Sequence, residues 1–215
     1  MDETANGTLP LPRIERSSPA DHLAERFAGT GSEATVTLRE IPFLAQVELR
    51  VNPGEEGQAA RMAGEFLGCS MPGPGRWEGN GQPHALWCGP GWYLIVDASA
   101  TGRGLAAGLA AALGGEYGAL CAGVVDVSAQ RTVLELRGPQ AREVLAHGCE
   151  LDLHPRVFGP GHYAQTLLAK ATVGIQQIDA TPAYRIQVRA SYADYLARWL
   201  LDAMHEYTEY TVEGQ

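Results

Sequence analysis

The feature of this sequence that most restricts its fold is a strand pattern followed at once by a helix pattern, which occurs four times. In the first copy, AQVELRV, the apolar Val47, Leu49 and Val51 alternate with polar residues, as in a strand with one buried face. Apolar residues then recur at helical spacing in GEEGQAARMAGEFLG. The other copies are TVLELRG with PQAREVLAHG, WYLIVD with GRGLAAGLAAALGG, and AYRIQVRA with SYADYLARWLLDAM.

The order of these copies predicts two similar halves, at about residues 38–115 and 120–205. VELR at 47–50 aligns with LELR at 134–137, and each is followed by a Gly or Pro turn. Because the strands alternate, we expect antiparallel sheets, each covered on one face by helices. The predicted fold class is therefore α+β, with both halves packed as one unit.

The two ends of the chain lack the pattern of the halves. We predict a flexible tail at residues 1–33, with one short candidate helix in DHLAERFAG, and an acidic tail at residues 207–215. The folded unit then spans residues 34–206. In its second half, QTLLAKATVGIQQI adds two further strands before the last strand and helix.

Charge and hydropathy exclude several classes of protein. The formal net charge is −9 and no segment carries a basic stripe, which argues against nucleic-acid binding. No apolar run reaches the roughly 18 residues of a membrane helix. The polar, acidic start MDETANGTLPLPRIERSSP has no secretory pattern, so we expect a cytoplasmic protein.

Cysteines and histidines show no metal-ligand spacing. The four cysteines are too far apart for a CxxC pair, and we expect free, mostly buried thiols. His147, Cys149 and His154 lie near one another but lack the paired spacing of zinc ligands. We therefore predict no metal site on this chain.

Two other motifs point only weakly to chemistry. Gly102, Gly104 and Gly108 open a helix after a strand, but the GxGxxxG spacing and the alternating strands do not fit a dinucleotide-binding loop. Ser128 has no neighbouring histidine to activate it as a nucleophile. Paired carboxylates for acid–base work are also missing, so we predict no catalytic residue.

The stretch VVDVSAQRTVLELRGPQ begins the second half and has a structural interpretation. Asp126 and Ser128, two apart at a strand entry, can bond their own backbone and fix a turn. Gly138 marks the turn after the strand, and Pro139 suits the first turn of the next helix. Trp77, in the loop MPGPGRWEGNGQP, is either a partner anchor or folds back on its own core.

The same region carries a family resemblance. VVDVSAQRTVLELRGPQAREVLAHGCELDLHPRVFGPGHYAQTLLAKATVGIQQID resembles the start of the folate-binding domain of glycine-cleavage aminomethyltransferases. More closely, three stretches between about residues 36 and 206 resemble the gamma-subunit family of heterotetrameric sarcosine oxidases. They are LREIPFLAQVELRVNPG, LWCGPGWYLIVD with VVDVSAQRTVLELRGPQAREVLAHGCELDLHP, and YRIQVRASYADYLARWLLDAM.

This resemblance implies an accessory role in an oxidase complex. Such complexes demethylate sarcosine to glycine with flavins, release hydrogen peroxide and pass the one-carbon unit to tetrahydrofolate. Their FAD, FMN, NAD and folate lie on the alpha and beta subunits, and the delta subunit binds zinc. The resemblance therefore implies alpha, beta and delta partners and no cofactor on this chain.

Where aminomethyltransferases carry an acid pair that orients folate, this sequence has Gln176 and Gln177. An amide neither takes up a proton nor stabilises an iminium by charge. A shift of two residues would bring in only Asp179. A VNA-like turn of the family reads VRA here, and Arg189 would crowd a pterin edge. We thus expect a degenerate folate site.

Two alternatives remain at this point. A free-standing folate-dependent aminomethyltransferase would need an acid at the position of Gln176 or Gln177. A binding module of unrelated metabolism could share only the fold, because fold does not determine function.

Overall fold

Two antiparallel sheets form the framework of the computed structural model, which describes residues 16–79, 82–114 and 120–208. The strands are β1 (Thr37–Ile41), β2 (Ala45–Val51), β3 (Trp77–Glu78), β4 (His84–Gly89), β5 (Trp92–Asp97), β6 (Ala122–Asp126), β7 (Arg131–Arg137), β8 (Tyr163–Leu168), β9 (Ala171–Asp179) and β10 (Ala183–Arg189). The helices are α1 (Ala24–Gly29), α2 (Glu56–Leu67), α3 (Gly102–Ala112), α4 (Ala141–Ala146) and α5 (Ala193–Thr208). Short 3-10 turns cover Asp21–Leu23 and Ala190–Tyr192.

Each sheet has five strands among the described residues. The first sheet has the strand order β3-β4-β5-β2-β6, and the second has the order β1-β7-β10-β9-β8. Helices α2 and α3 pack on the first sheet, whereas α1, α4 and α5 pack on the second. The predicted α+β architecture of two helix-covered antiparallel sheets is confirmed.

The two sheets also contact each other through their remaining faces. A third apolar cluster joins Leu86, Leu94 and Val96 of the first sheet to Val133 and Tyr163 of the second. The layers therefore run helix, sheet, sheet, helix. Because helices cover the outer faces, the side chains of the inner faces fill the space between the sheets.

The sheets do not coincide with the two halves predicted from the sequence. Strand β1, assigned to the first half, pairs with β7 in the second sheet. Strand β6, assigned to the second half, pairs with β2 in the first sheet. Alternation identifies a strand but carries no information about which distant strand it pairs with, so each half lends one strand to the other sheet.

The prediction of a flexible N-terminal tail is wrong for residues 20–29, whereas the candidate helix within DHLAERFAG is confirmed by the 3-10 turn Asp21–Leu23 and α1. Ala20, Leu23 and Phe27 are buried, and they pack with β1 into the core of the second sheet. This segment is short, so its three apolar residues gave only a weak helical signal. Of the rest of the predicted tail, residues 16–19 and 30–33 are described, and residues 1–15 lie outside the described residues.

At the other end, α5 continues to Thr208, past the predicted boundary at residue 206. The half-buried Tyr207 packs against the second-sheet core, and its hydroxyl lies 3.1 Å from His147 Nε2. The described part of the predicted acidic tail is thus helical. Residues 209–215 lie outside the described residues.

The inner face of the second sheet is polar at its open end. Glu135 is only 3% exposed, and its carboxylate accepts hydrogen bonds from Arg39 at 2.6 and 2.9 Å and from Arg185 at 3.2 Å. Burial acts to raise the pKa of Glu135, but hydrogen bonds and charge from the two arginines outweigh it and hold the pKa below its usual range. This cluster explains how β7 is buried on both faces despite its alternating sequence.

None of the helices in the described ranges is long and apolar enough to cross a bilayer. Within the same ranges, no three His, Cys, Asp or Glu side chains come together as metal ligands. The cysteines are free thiols, but Cys121 is exposed and the other three are half-buried, so the expectation of mostly buried thiols was wrong.

Gly138 shapes the turn between β7 and α4. Its φ is +132°, its N–H donates to Pro182 O at 2.9 Å, and its carbonyl accepts from Ala141 N at 3.0 Å. A Cβ at this position would overlap the backbone carbonyl of Thr35. Helix α4 begins at Ala141, so Pro139 lies in the preceding turn and not in the first helical turn as predicted.

We expect Gly138→Ala to lower the free energy of unfolding by about 1–3 kcal/mol, because the new side chain meets both a strained φ and the Thr35 carbonyl. Urea unfolding measured by circular dichroism checks this. Gly57→Ala in α2 is the matched control, since a Cβ there meets no atom within 4 Å and alanine favours helix. Equal effects of the two substitutions would contradict the proposed strain.

Candidate functional site

The degenerate folate positions lie on the central strands of the second sheet. Gln176 and Gln177 are neighbours in β9 and are almost completely buried. Gln177 donates through its amide to Asp179 O at 3.1 Å, which connects it to the end of its own strand. Gln176 Oε1 accepts from the Gln187 amide of β10 at 3.3 Å. The two glutamines therefore serve adjacent but different environments.

Trp77 is folded onto this region of its own chain. Its indole N–H donates to the Gln177 carbonyl at 2.8 Å, and its backbone N–H donates to Gly161 O at 3.0 Å. Its ring also meets His84 edge-on, with the centroids 5.8 Å apart. Trp77 thus ties the first sheet to the second. The side chain remains half-buried, and its role at an interface stays a prediction.

A cavity of about 230 Å³ lies between the two sheets, beside Arg189. The first sheet contributes Cys88, Trp92 and Leu94 to its wall. The second sheet contributes the remaining lining residues, which are Arg131, Tyr163, Gln165, Thr172, Val173, Gly174, Gln187 and Arg189. We call this the inter-sheet cavity.

The absence of a side chain at Gly174 helps to keep the inter-sheet cavity open. A Cβ there would overlap the Tyr163 hydroxyl and come close to Gln187 Oε1. Gln187 is 3% exposed and lies opposite Gly174 in the β10–β9 register. Gln165, on the other side of Gly174 in β8, donates its amide to Cys88 O at 2.8 Å. A glycine flanked by two glutamines therefore forms the floor.

The charge around the cavity is positive. Arg131 of β7 and Arg189 of β10 are direct cross-strand partners, and neither forms an ion pair with any residue of the described ranges. Glu48 acts electrostatically on Cys88, but its carboxylate is held by Arg50 at 2.8 Å. The cavity thus has two cationic groups and no free carboxylate in its lining.

Besides the two arginines, the wall contains a thiol and a phenol, Cys88 and Tyr163, which both keep their protons at neutral pH. Burial raises the pKa of the Tyr163 hydroxyl well above its usual range, and it raises the pKa of the Cys88 thiol, although Tyr163 and Arg131 oppose that rise. Sγ and the hydroxyl oxygen lie 3.7 Å apart. Neither group is ready to act as a base or a nucleophile, so the cavity is suited to binding and not to catalysis.

The residues present do not fit the folate chemistry of the resembling enzymes. Gln176 and Gln177 are neutral amides, and both are engaged inside the sheet. Arg189 places a cation at the rim of the cavity. We therefore derive no folate-dependent step on this chain.

Asp126 and Ser128 lie outside the inter-sheet cavity, in front of α3. Asp126 Oδ1 accepts from Ser128 N at 3.0 Å and from Ser128 Oγ at 2.5 Å, and Ser128 Oγ accepts from Gln46 N at 2.9 Å. These Ser128 hydrogen bonds lower the pKa of Asp126. Gly102 lets both side chains approach the helix start, since a Cβ there would overlap them. The glycine motif thus relieves crowding.

The sequence did not reveal Arg131 or Trp92 as site residues. Both lie within strands whose alternation was recognised, but only the pairing of distant strands brings them to one cavity. The single available signal was charge, because Arg131 begins β7 and Arg189 ends β10, and the two antiparallel strands are neighbours.

Comparison with known proteins bears on the whole chain. Residues 57–206 match the family model described as the sarcosine oxidase, gamma subunit family. The sarcosine oxidase subunit gamma of an Arthrobacter species is 41% identical over 210 residues, which cover 97% of this chain and 99% of the relative.

The chain belongs to the sarcosine oxidase gamma subunit family. A solved heterotetrameric sarcosine oxidase from Corynebacterium sp. U-96, in complex with pyrrole 2-carboxylate, contains a chain that is 36% identical. The two superpose with a TM-score of 0.77 over 89% of this chain and 96% of that one.

The gamma-subunit fold is also that of an aminomethyltransferase. Glycine cleavage system aminomethyltransferase T from Bartonella henselae superposes with a TM-score of 0.58 at 17% identity. The match covers 85% of this chain and 56% of that one. At this identity the likeness shows the fold alone. The resemblance inferred from the sequence is therefore confirmed for both family and fold.

For this gamma-subunit family member, we expect Asp126→Ala to lower the free energy of unfolding by at most about 1 kcal/mol, because the carboxylate is exposed and screened by solvent. Since the folded-state pKa is lowered, the contribution is present above the ordinary pKa and disappears as pH falls through the folded-state value.

Urea unfolding at neutral and at acidic pH tests this assignment. The difference between wild type and variant should shrink in acid, and Asp126→Asn should fall between them because it keeps an acceptor oxygen. A loss of turnover in an intact, flavin-loaded complex, without a loss of stability, would instead give Asp126 a chemical role.

Proposed function

We propose that the chain is the accessory, non-catalytic gamma subunit of a heterotetrameric sarcosine oxidase, which demethylates sarcosine oxidatively to glycine. The observation that carries the proposal is the match along almost the whole chain to gamma subunits, at 41% identity for the Arthrobacter relative. The superposition on a chain of the Corynebacterium complex supports it.

The site supports an accessory role. A folate-dependent transfer enzyme needs a group that moves a proton or stabilises a positive charge near the one-carbon unit. Gln176 and Gln177 supply only amides, and Tyr163 and Cys88 are held in their neutral forms by burial. These four residues thus supply no acid or base for folate chemistry, as expected of a folate-domain scaffold.

In this proposal, the cofactors lie on the partner subunits. FAD, FMN, NAD and tetrahydrofolate are held by the alpha and beta subunits and zinc by the delta subunit, where hydrogen peroxide and 5,10-methylenetetrahydrofolate form. The gamma subunit stabilises this assembly and shapes the route between the flavin and folate sites. Trp77 is a candidate residue for contact with a partner subunit. We propose that the complex is cytoplasmic.

We expect a tag on this chain to recover a yellow complex when the chain is co-expressed with sarcosine oxidase alpha, beta and delta subunits. The flavin colour follows from the proposed partners, since no cofactor is proposed on this chain. Absorbance at flavin wavelengths and subunit stoichiometry are the measurements. Recovery of this chain alone, under conditions where the large subunits fold, would refute the proposal, and an untagged chain controls for nonspecific capture.

The isolated full chain should show no calorimetric heat of binding with tetrahydrofolate at micromolar concentrations. The reason is the neutral pair Gln176 and Gln177 together with the cationic Arg189. A folate-binding aminomethyltransferase serves as the positive control. Micromolar binding to this chain would favour a free-standing folate-dependent enzyme over an accessory subunit.

A further inference from the structure

We propose that the inter-sheet cavity is a binding site for a small organic carboxylate. Its carboxylate lies between Arg131 and Arg189, and its apolar body lies against Trp92, Leu94 and Tyr163. The site belongs to this chain alone, so the proposal does not depend on assembly with other subunits.

The arginine pair is the first observation. Arg131 and Arg189 occupy directly opposed positions of an antiparallel pair, where side chains start about 4.5–5.5 Å apart and like charges are destabilising. The neighbouring Arg39 and Arg185 both form ion pairs with the buried Glu135. Arg131 and Arg189, in contrast, form no ion pair with a carboxylate of the described ranges. An anion between them removes the repulsion, and guanidinium groups bind carboxylates in bidentate geometry.

Buried polar atoms without partners are the second observation. Trp92 Nε1 is shielded from solvent and has no acceptor among the described residues. Gln187, which is 3% exposed, also has no donor to its Oε1 among the described residues, and this acceptor calls for an ordered water. Leaving such groups unsatisfied is costly, so a ligand or ordered water is expected beside them. An indole N–H can only donate, which favours an acceptor such as a carboxylate oxygen.

The wall determines what else the ligand carries. Leu94 is 1% exposed, and the Arg50 guanidinium lies over the Trp92 ring, 3.8 Å from its centroid. The side chains of Trp92, Leu94 and Tyr163 present apolar surface to the cavity. A bare phosphate would leave that surface unused, whereas an organic carboxylate covers it.

The size of the cavity sets an upper limit. Its volume of about 230 Å³ exceeds that of a single water, whose share of the liquid is about 30 Å³. It is smaller than the roughly 300–1,000 Å³ of sites for drug-sized ligands. A ligand of the size of benzoate fits this range, and a complete folate does not.

The experiment uses the isotope-labelled full chain and the probes benzoate, benzamide and inorganic phosphate. The four tryptophans give separate indole N–H signals in nitrogen–proton NMR spectra, and Trp92→Phe assigns that of Trp92. We expect benzoate to move the Trp92 signal downfield in a saturable way. The Trp77 signal should stay in place, because its indole already donates to Gln177 O.

Substitutions at the arginines separate binding from folding. Arg189→Gln and Arg131→Gln should each weaken benzoate binding by about tenfold or more. Without ligand, each variant should be as stable as wild type or more stable, since one of two facing like charges is removed. Arg61→Gln on α2 is the matched control, because that exposed arginine pairs with Glu65 away from the cavity.

Several results would overturn the proposal. Equal binding of benzamide and benzoate would show that the charge of the ligand is irrelevant. Saturable binding of phosphate without binding of benzoate would indicate an inorganic anion site. Unchanged affinity in both arginine variants, or a Trp92 signal that never responds to benzoate, would also exclude the site. Benzoate binding is measured on the isolated chain, and the subunit function is tested by recovery of a flavin complex. Either proposal can therefore be refuted without the other.

Discussion

The antiparallel pairing of β7 with β10 is the constraint on which the rest of the structure depends. It places Leu134 beside Ile186 on the helix-covered face, where both are fully buried. On the opposite face, the same register brings Arg185 to Glu135. A one-residue change in the register of β10 against β7 would turn the apolar side chains away from the helices and expose the core. Hydrophobic burial therefore also fixes the positions of the polar groups on the inner face.

The arginines on that inner face have two different environments. At one end, a buried carboxylate compensates neighbouring guanidinium groups, and its own desolvation is offset by their hydrogen bonds. At the other end, two arginines line a cavity instead. The fold is thus shared with an aminomethyltransferase, while β9 carries the amides of Gln176 and Gln177 and β10 ends in the cation of Arg189.

Periodicity predicted the local elements well because it reports burial directly. The strands β2, β5, β7 and β10 and the helices that follow them were all recognised in the sequence. The prediction that amides stand at Gln176 and Gln177 where relatives carry acids rests on the resemblance alone. Strand partners, the docking of α1 and the approach of Arg131 to Arg189 could not, because they depend on contacts between residues far apart in the chain.

The exchange of β1 and β6 has a mechanical consequence. Each sheet contains one edge strand from the opposite half of the chain, so the two halves are joined by an exchange of strands. Cutting the chain between β5 and β6 leaves each fragment without one edge strand of its sheet and with one strand that has lost its partner. Neither half can then melt without exposing strand edges of the other, and the fold opens as one cooperative body.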